Sequence, residues 1–238
     1  MNTETLKLPY GDGQIAFRLE RRDRKTLAIS VGPDAEVEVI APLNAPIEKV
    51  LEKVRKRAPW IQRQQRFFTQ FNPRTPERQY VAGETHLYLG RQYKLKVEPH
   101  VQQQVKLYRG RLVVQSTRPR TRDATRELVE QWYRDRAQVK FRESLALCRE
   151  RFPNPNAFDP AGLVVMQLRQ RWGSMTPGGK LILNRVLIRA SVDAIEYVIT
   201  HELCHMRHNH HGPAFFDLLD RVMPDWEKRK LKLERQLA

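Results

Sequence analysis

Near its C-terminus the chain carries His201-Glu202-Leu203-Cys204-His205, two histidines four residues apart with a glutamate directly after the first. On a helix, residues i and i+4 share a face with roughly 6 Å between them, so both imidazoles can meet one metal ion. Glu202 lies about 100° around the axis from His201. From there it reaches water on the ion but is badly placed to ligate it, so its predicted role is general base. The chemistry this pattern predicts is zinc-assisted hydrolysis, with zinc-bound water activated by Glu202.

Two imidazoles leave a catalytic zinc site one protein ligand short. His208 is seven residues from His201, which puts its backbone roughly 10 Å further along the axis. A third ligand therefore requires the chain to turn back. Asn209 tolerates the left-handed backbone that ends a helix, and Gly212-Pro213 suits the start of the next one. His211 has the spacing from His205 that the HExxHxxGxxH pattern uses, with His208 where that pattern has glycine. His210, one residue off, and the downstream carboxylates Asp217, Asp220 and Glu227 are the alternatives.

The segment that must carry the pair reads as a half-buried helix. From Ala194 to His208 there is neither Gly nor Pro, and Ile195, Val198, Ile199 and Met206 recur at helical spacing. Ser191 is the expected N-cap, with Asp193 in the first turn. Before it, Asp123 to Arg151 is a long amphipathic segment, with Leu128, Trp132, Val139, Phe141 and Leu145 on its apolar side, expected to pack under the metal helix. Gly162 to Arg169 and Lys180 to Asn184 read as a short sheet bordering the site, to whose edge a peptide could add as a further strand.

The first half of the chain is β-rich. Arg18 to Glu20, Thr26 to Val31 and Val37 to Ile40 alternate as strands, with Gly32-Pro33-Asp34 as a turn. A helix from about Ala45 to Gln70 follows, with an expected bend at Pro59. After a loop at Asn72-Pro73 and Thr75-Pro76, strands recur at Glu84 to Leu89, Arg91 to Val97, Val105 to Tyr108 and Arg111 to Gln115, with Arg109-Gly110 as a tight turn. No internal repeat and no low-complexity tract stands out. The predicted class is α+β, divided into an N-terminal β-rich region with one helix at 1–118 and a metal-binding catalytic domain at 119–238.

The order of short motifs around the histidines is similar to that of one family. Arg171-Trp172-Gly173-Ser174, then Leu181-Ile182-Leu183-Asn184, then Glu196 to Thr200 leading into the HELCH core, and His211 followed by Phe215-Phe216 resemble the YgjP-like metal-dependent hydrolases, a group related to the SprT and WLM metallopeptidase domains. The resemblance extends through most of the chain. It implies zinc on His201, His205 and His211, Glu202 as the catalytic residue, and a zincin-like (minigluzincin or SprT-like) helical domain with a small sheet. Met175 stands where the family usually has Cys, and Phe216 where it usually has Trp. Neither position is a proposed ligand.

Composition narrows the partners. There are 43 Lys and Arg against 27 Asp and Glu in 238 residues, a formal charge of +16. Lys49, Lys53, Arg55, Lys56, Arg57, Arg63 and Arg66 cluster with Trp60, Phe67 and Phe68, and Arg118, Arg120, Arg122 and Arg126 lead into the long helix. Such stretches suit phosphate contact, so nucleic acid is a candidate partner beside a protein or peptide substrate. The competing reading makes the aromatics a buried stripe and the cations a solvated face. No run of eighteen apolar residues and no secretory pattern in residues 1–13 is present, which points to a cytoplasmic protein without a membrane partner. The two cysteines, Cys148 and Cys204, match no metal or disulfide framework, and no GxxxxGK[ST] motif is present. Alternatives to a zinc peptidase are a metal-dependent hydrolase of nucleotide phosphoanhydrides or another small substrate, and a nucleic-acid-associated metal-binding module. Retention of Glu202 argues against the last. The sequence does not fix an oligomeric state.

Overall fold

The computed structural model describes residues 3–32, 34–70, 78–119, 121–168 and 171–237. The expected loop at Asn72-Pro73 and Thr75-Pro76, the Pro33 of the first turn, and Arg120 and Arg169 lie outside them.

Strands β1 (Thr3–Tyr10), β2 (Gly13–Arg22), β3 (Ala28–Val31) and β4 (Val37–Pro42) form a sheet in the order β1-β2-β4-β3, with β2 and β4 parallel and the outer pairs antiparallel. β1 escapes the sequence reading because its alternation is short and holds Pro9. It lies on a sheet edge, where a missing N–H is tolerated. Helix α1 (Ile47–Thr69) continues through Pro59 and buries Val50, Val54, Ala58 and Ile61 against Ile15, Phe17, Leu19, Val37 and Val39. Its cations Lys49, Lys53, Arg55, Lys56, Arg57, Arg63 and Arg66 face solvent, while Trp60 packs partly against the core.

A second sheet repeats the plan. Strands β5 (Thr85–Tyr88), β6 (Arg91–Pro99), β7 (Gln104–Tyr108) and β8 (Arg111–Ser116) take the order β5-β6-β8-β7, again with a parallel central pair between two hairpins, and again a helix follows, α2 (Arg122–Arg149). Registers agree position by position: Phe17 faces Val37 as Leu95 faces Leu112, and Ser30 faces Glu38 as Lys106 faces Val113. With that frame the sequences align as YGDGQIAFRLE at 10–20 and YLGRQYKLKVE at 88–98, sharing the Tyr, the Gln and the Glu. The repeat missed in the sequence is thus one of topology, with only a few identities left to mark it.

The remaining chain adds β9 (Gly162–Met166), β10 (Gly173–Met175) and β11 (Lys180–Asn184) in the order β10-β11-β9, then α3 (Val192–Cys204), α4 (Pro213–Val222) and α5 (Trp226–Leu237). Sheets and helices together confirm the α+β class. Contacts divide the chain at residue 75, not 118, because β5 to β8 share a core with the C-terminal helices: Tyr88, Leu95, Leu112 and Val114 belong to the same apolar cluster as Phe141, Leu187, Ile195 and Phe215. Of the predicted apolar side of α2, Phe141 is buried and Leu128, Trp132 and Leu145 pack partly against the core. Val129, Tyr133, Ala137, Phe141 and Cys148 are buried, while Val139 is 51% exposed. No helix among the described residues is long and apolar enough to cross a membrane.

The β5–β6 turn joins the second sheet to the start of α3. Leu89 and Gly90 both have positive φ, 48° and 76°, the geometry of a two-residue hairpin turn. Their N–H groups donate to the carbonyls of Ile188 (2.9 Å) and Arg189 (3.1 Å). A Cβ on Gly90 would lie 2.8 Å from the Cβ of Ser191. Gly90→Ala is expected to cost about 2–4 kcal/mol in urea unfolding, about 1–2 from the left-handed backbone and the rest from the collision; a loss below about 1 kcal/mol would contradict this docking.

Candidate metal centre

Nine of the thirteen residues of α3 are buried, so the helix is enclosed on most sides. Beneath it, the Cys148 thiol of α2 donates to the Glu196 carbonyl at 3.6 Å. Along its outer side α5 forms a ladder: Arg229 pairs with Glu196 at 3.1 Å, Lys232 with Asp193 at 2.8 Å, and the Gln236 Oε1 accepts from the Ser191 N–H at 2.8 Å. Arg151 also pairs with Glu196. Ser191 occupies the expected N-cap position, though its hydroxyl makes no cap bond.

The helix ends at Cys204, four residues short of the predicted His208. Its last turn tightens: His205, Met206 and Arg207 each donate to the carbonyl three residues back, at 2.9 to 3.2 Å. Asn209 is not among the residues with positive φ, so the chain leaves by this tightening and not by a left-handed cap. His205 sits at the C-cap, where its Nδ1 bonds the His208 carbonyl at 2.9 Å. That carbonyl fixes Nδ1 as the donor and leaves Nε2 with its lone pair free.

The chain then returns. Gly212 and Pro213 open α4 as predicted, and His211, just before them, faces His201 with the two Nε2 atoms 3.0 Å apart. His201, His205 and His211 each offer a nitrogen within 4.8 Å of the others. His210 is solvent-exposed, and neither it nor the Asp217, Asp220 and Glu227 carboxylates belong to this group. Phe215, the third residue of α4 and wholly buried, underlies all three rings, with centroids 5.0, 4.7 and 4.7 Å from those of His201, His205 and His211. Only the pairing Phe215-Phe216 marked this residue in the sequence; that it floors the cluster depends on where α4 begins.

This donor set fits a metal ion. Two nitrogens bound to a tetrahedral ion at about 2.0–2.1 Å lie about 3.3 Å apart, close to the separation of the His201 and His211 nitrogens. Burial, followed by the nearness of His211, His205 and Lys230, pushes the His201 imidazole down to about 3, and burial with the His205 and Lys230 charges lowers His211. Both rings therefore keep neutral nitrogens for a cation.

Glu202 is 8% exposed, and burial raises its carboxyl to about 7 against the opposing pull of the Met175 N–H and Arg171. Its neighbour is β10, the Gly173-Ser174-Met175 segment, a strand that the sequence analysis does not predict. A Cβ at Gly173 would stand 2.8 Å from the Glu202 Cγ and 3.0 Å from a Val198 methyl. The glycine of the WGS motif lets this strand lie against the carboxylate. Met175 meets Glu202 through its backbone, so a Met there in place of Cys leaves the contact intact. Asn184 is structural: its Nδ2 donates to the Leu168 and Arg171 carbonyls at 2.9 and 3.1 Å, and its Oδ1 accepts from the Val186 N–H at 3.1 Å. Tyr197 lies edge-on to His201 and parallel to Trp226, buried by both. Cys204 is buried and its thiol raised to about 12, which keeps it protonated and outside the ligand set.

The family model of YgjP-like proteins, described as their metallopeptidase domain, matches residues 25–236. The chain belongs to the YgjP-like family. YgjP-like membership makes it a protein of a metallopeptidase family, and the three-histidine group is where a metal ion could be held. No curated protein and no solved structure matches the chain significantly. The YgjP-like match begins between β2 and β3 and ends in α5, so it takes in β3, β4 and α1 of the first sheet-and-helix copy and the whole of the second. Gly173→Ala is expected to lower stability by about 1–3 kcal/mol in urea unfolding, whereas Gly178→Ala, with open space around it, changes it by less than about 0.5 kcal/mol. Equal effects would refute the close packing of β10 on α3.

Proposed function

We propose that this chain is a zinc-dependent metallopeptidase in which His201, His205 and His211 hold the ion and Glu202 is the general base. The convergence of three imidazoles, two of them held neutral, carries this reading. A donor set made only of imidazoles favours zinc over harder cations. A metal helix, a returning third ligand and a small sheet beside them support a zincin-like, SprT-like arrangement. The free buried cysteines suit a reducing, cytoplasmic setting.

A zinc ion held there would supply Lewis acidity, polarising a scissile carbonyl and acidifying water. The chain's own residues do the rest. Glu202, buried and next to His201 in the chain, is the carboxylate that would take a proton from the attacking water and return it to the departing amine nitrogen. Phe215 and Tyr197 pack edge-on against the His201 ring and exclude water from it, which strengthens electrostatic interactions at the site. β10 pairs with β11 on one side only, which leaves an edge beside Glu202 along which an extended peptide could lie.

Zinc affinity measured by chelator competition is expected to fall about 100-fold or more for His201→Ala, His205→Ala and His211→Ala, and to stay within about threefold for His210→Ala. Loss of zinc in His210→Ala with retention in His211→Ala would overturn the ligand assignment. With unfolded protein as substrate, Glu202→Gln is expected to keep its zinc and lose about a thousandfold in turnover. Unchanged turnover would remove Glu202 from the mechanism, and turnover of nucleotides but not of proteins would redirect the substrate class.

A further inference from the structure

The outward face of the second sheet, away from the metal centre's core, differs from that of its structural repeat. Lys96 and Lys106 flank Val113 in register on β6, β7 and β8, and in the next row Lys94 and Tyr108 flank Arg111. Val113 is 4% exposed although it lies outside the apolar core cluster, so the lysine stems beside it cover it. Tyr108 is 53% exposed, with the Arg109 guanidinium 5.2 Å from its ring centre. Lys96, Lys106, Tyr108, Arg109, Arg111 and Val113 border a concavity of about 410 Å³, large enough for a ligand. Its acid, Glu98, pairs with Lys96 at 2.7 Å and accepts from Gln115 at 2.9 Å.

The first sheet serves as an internal comparison. In the matching register, Lys94, Lys106, Tyr108, Arg111 and Val113 correspond to Ala16, Ser30, Gly32, Glu36 and Glu38, and the retained cation, Arg18, pairs with Glu36 at 3.9 Å. The backbone plan holds its solvent face without a cluster of cations. Their accumulation on the second copy needs another cause, and it coincides with a concave surface and an exposed ring.

We propose that this face of the β5–β8 sheet binds single-stranded nucleic acid, with Lys94, Lys96, Lys106, Arg109 and Arg111 along the phosphates and Tyr108 stacking a base. A phosphodiester strand matches both features, a line of anions and planar rings at its side. An acidic peptide matches the charge alone and offers nothing planar for Tyr108.

The test is anisotropy of a labelled oligothymidylate on the full zinc-loaded chain at several salt concentrations. Lys106→Glu with Arg111→Glu is expected to weaken binding about tenfold or more and to flatten the log–log salt slope by about 1.4, the value for two lost contacts to a single strand. Tyr108→Ala, which leaves charge untouched and sits on an exposed turn, is expected to lose about fivefold or more. Lys53→Glu with Arg57→Glu on α1 makes the same charge change elsewhere and is expected to lose less than about threefold. Absence of binding, equal losses for the two double reversals, an unaffected Tyr108→Ala, or equal competition by polyglutamate would each overturn the proposal. If the sheet double variant loses its fold by circular dichroism, Lys96→Gln and Tyr108→Ala decide in its place, each by loss or retention of affinity.

Discussion

Imidazoles within hydrogen-bonding distance of one another repel if they carry charge, so a three-histidine cluster is tolerable only where the surroundings keep protons off. This fold meets that requirement with apolar surface. Phe215 closes the cluster from below, Tyr197 closes it behind His201, and α3 sinks most of its length into the core. The same burial raises the Glu202 carboxyl, so one cause moves histidine and glutamate in opposite directions, each toward the neutral form. A cation at the cluster would keep the imidazoles unprotonated and draw the Glu202 carboxyl back toward its ionised form, so burial here suits a metal site.

Holding α3 in place is the work of elements far apart in sequence. The β5–β6 turn meets its start, Cys148 lies under its middle, β10 presses on Glu202, and α5 lines its outer side with Arg229, Lys232 and Gln236. The Arg229 and Arg151 pairs with Glu196 are partly buried, and such pairs fix geometry more than they add stability. α4 is short, yet it brings Phe215 beneath the rings and leaves His211 just ahead of its first residue.

The helix bearing the paired histidines, the return through Gly212-Pro213 and most strands were legible because each rests on local periodicity or turn chemistry. Features that rest on tertiary contact were not. The early end of α3 depends on tightened bonds after Cys204 and on the His208 carbonyl. The strand at Gly173 is only three residues long and exists because Leu181 to Leu183 pair with it. The buried side of α2 is chosen by what it packs against, which is why Val139 is left exposed. In the sequence the second sheet looks self-contained, whereas its core continues into Ile195 and Phe215. The repeat was hidden because the two copies share little beyond their alternation and the few identities at Tyr, Gln and Glu.

That the first sheet-and-helix copy closes its own core, while the second shares one with the helices after it, has a consequence for the nascent chain. The first core is complete once Ile61 has been made, when more than half of the chain, including every metal-facing histidine, is still to be synthesised. Domains fold as units and the N-terminal one goes first during synthesis. The leading copy can settle on the ribosome without waiting for the metal, whereas the trailing copy gains its core only as the helices that follow it emerge. Duplication thus gives this chain an early-folding half and a late one, and the reactive cluster belongs wholly to the late one.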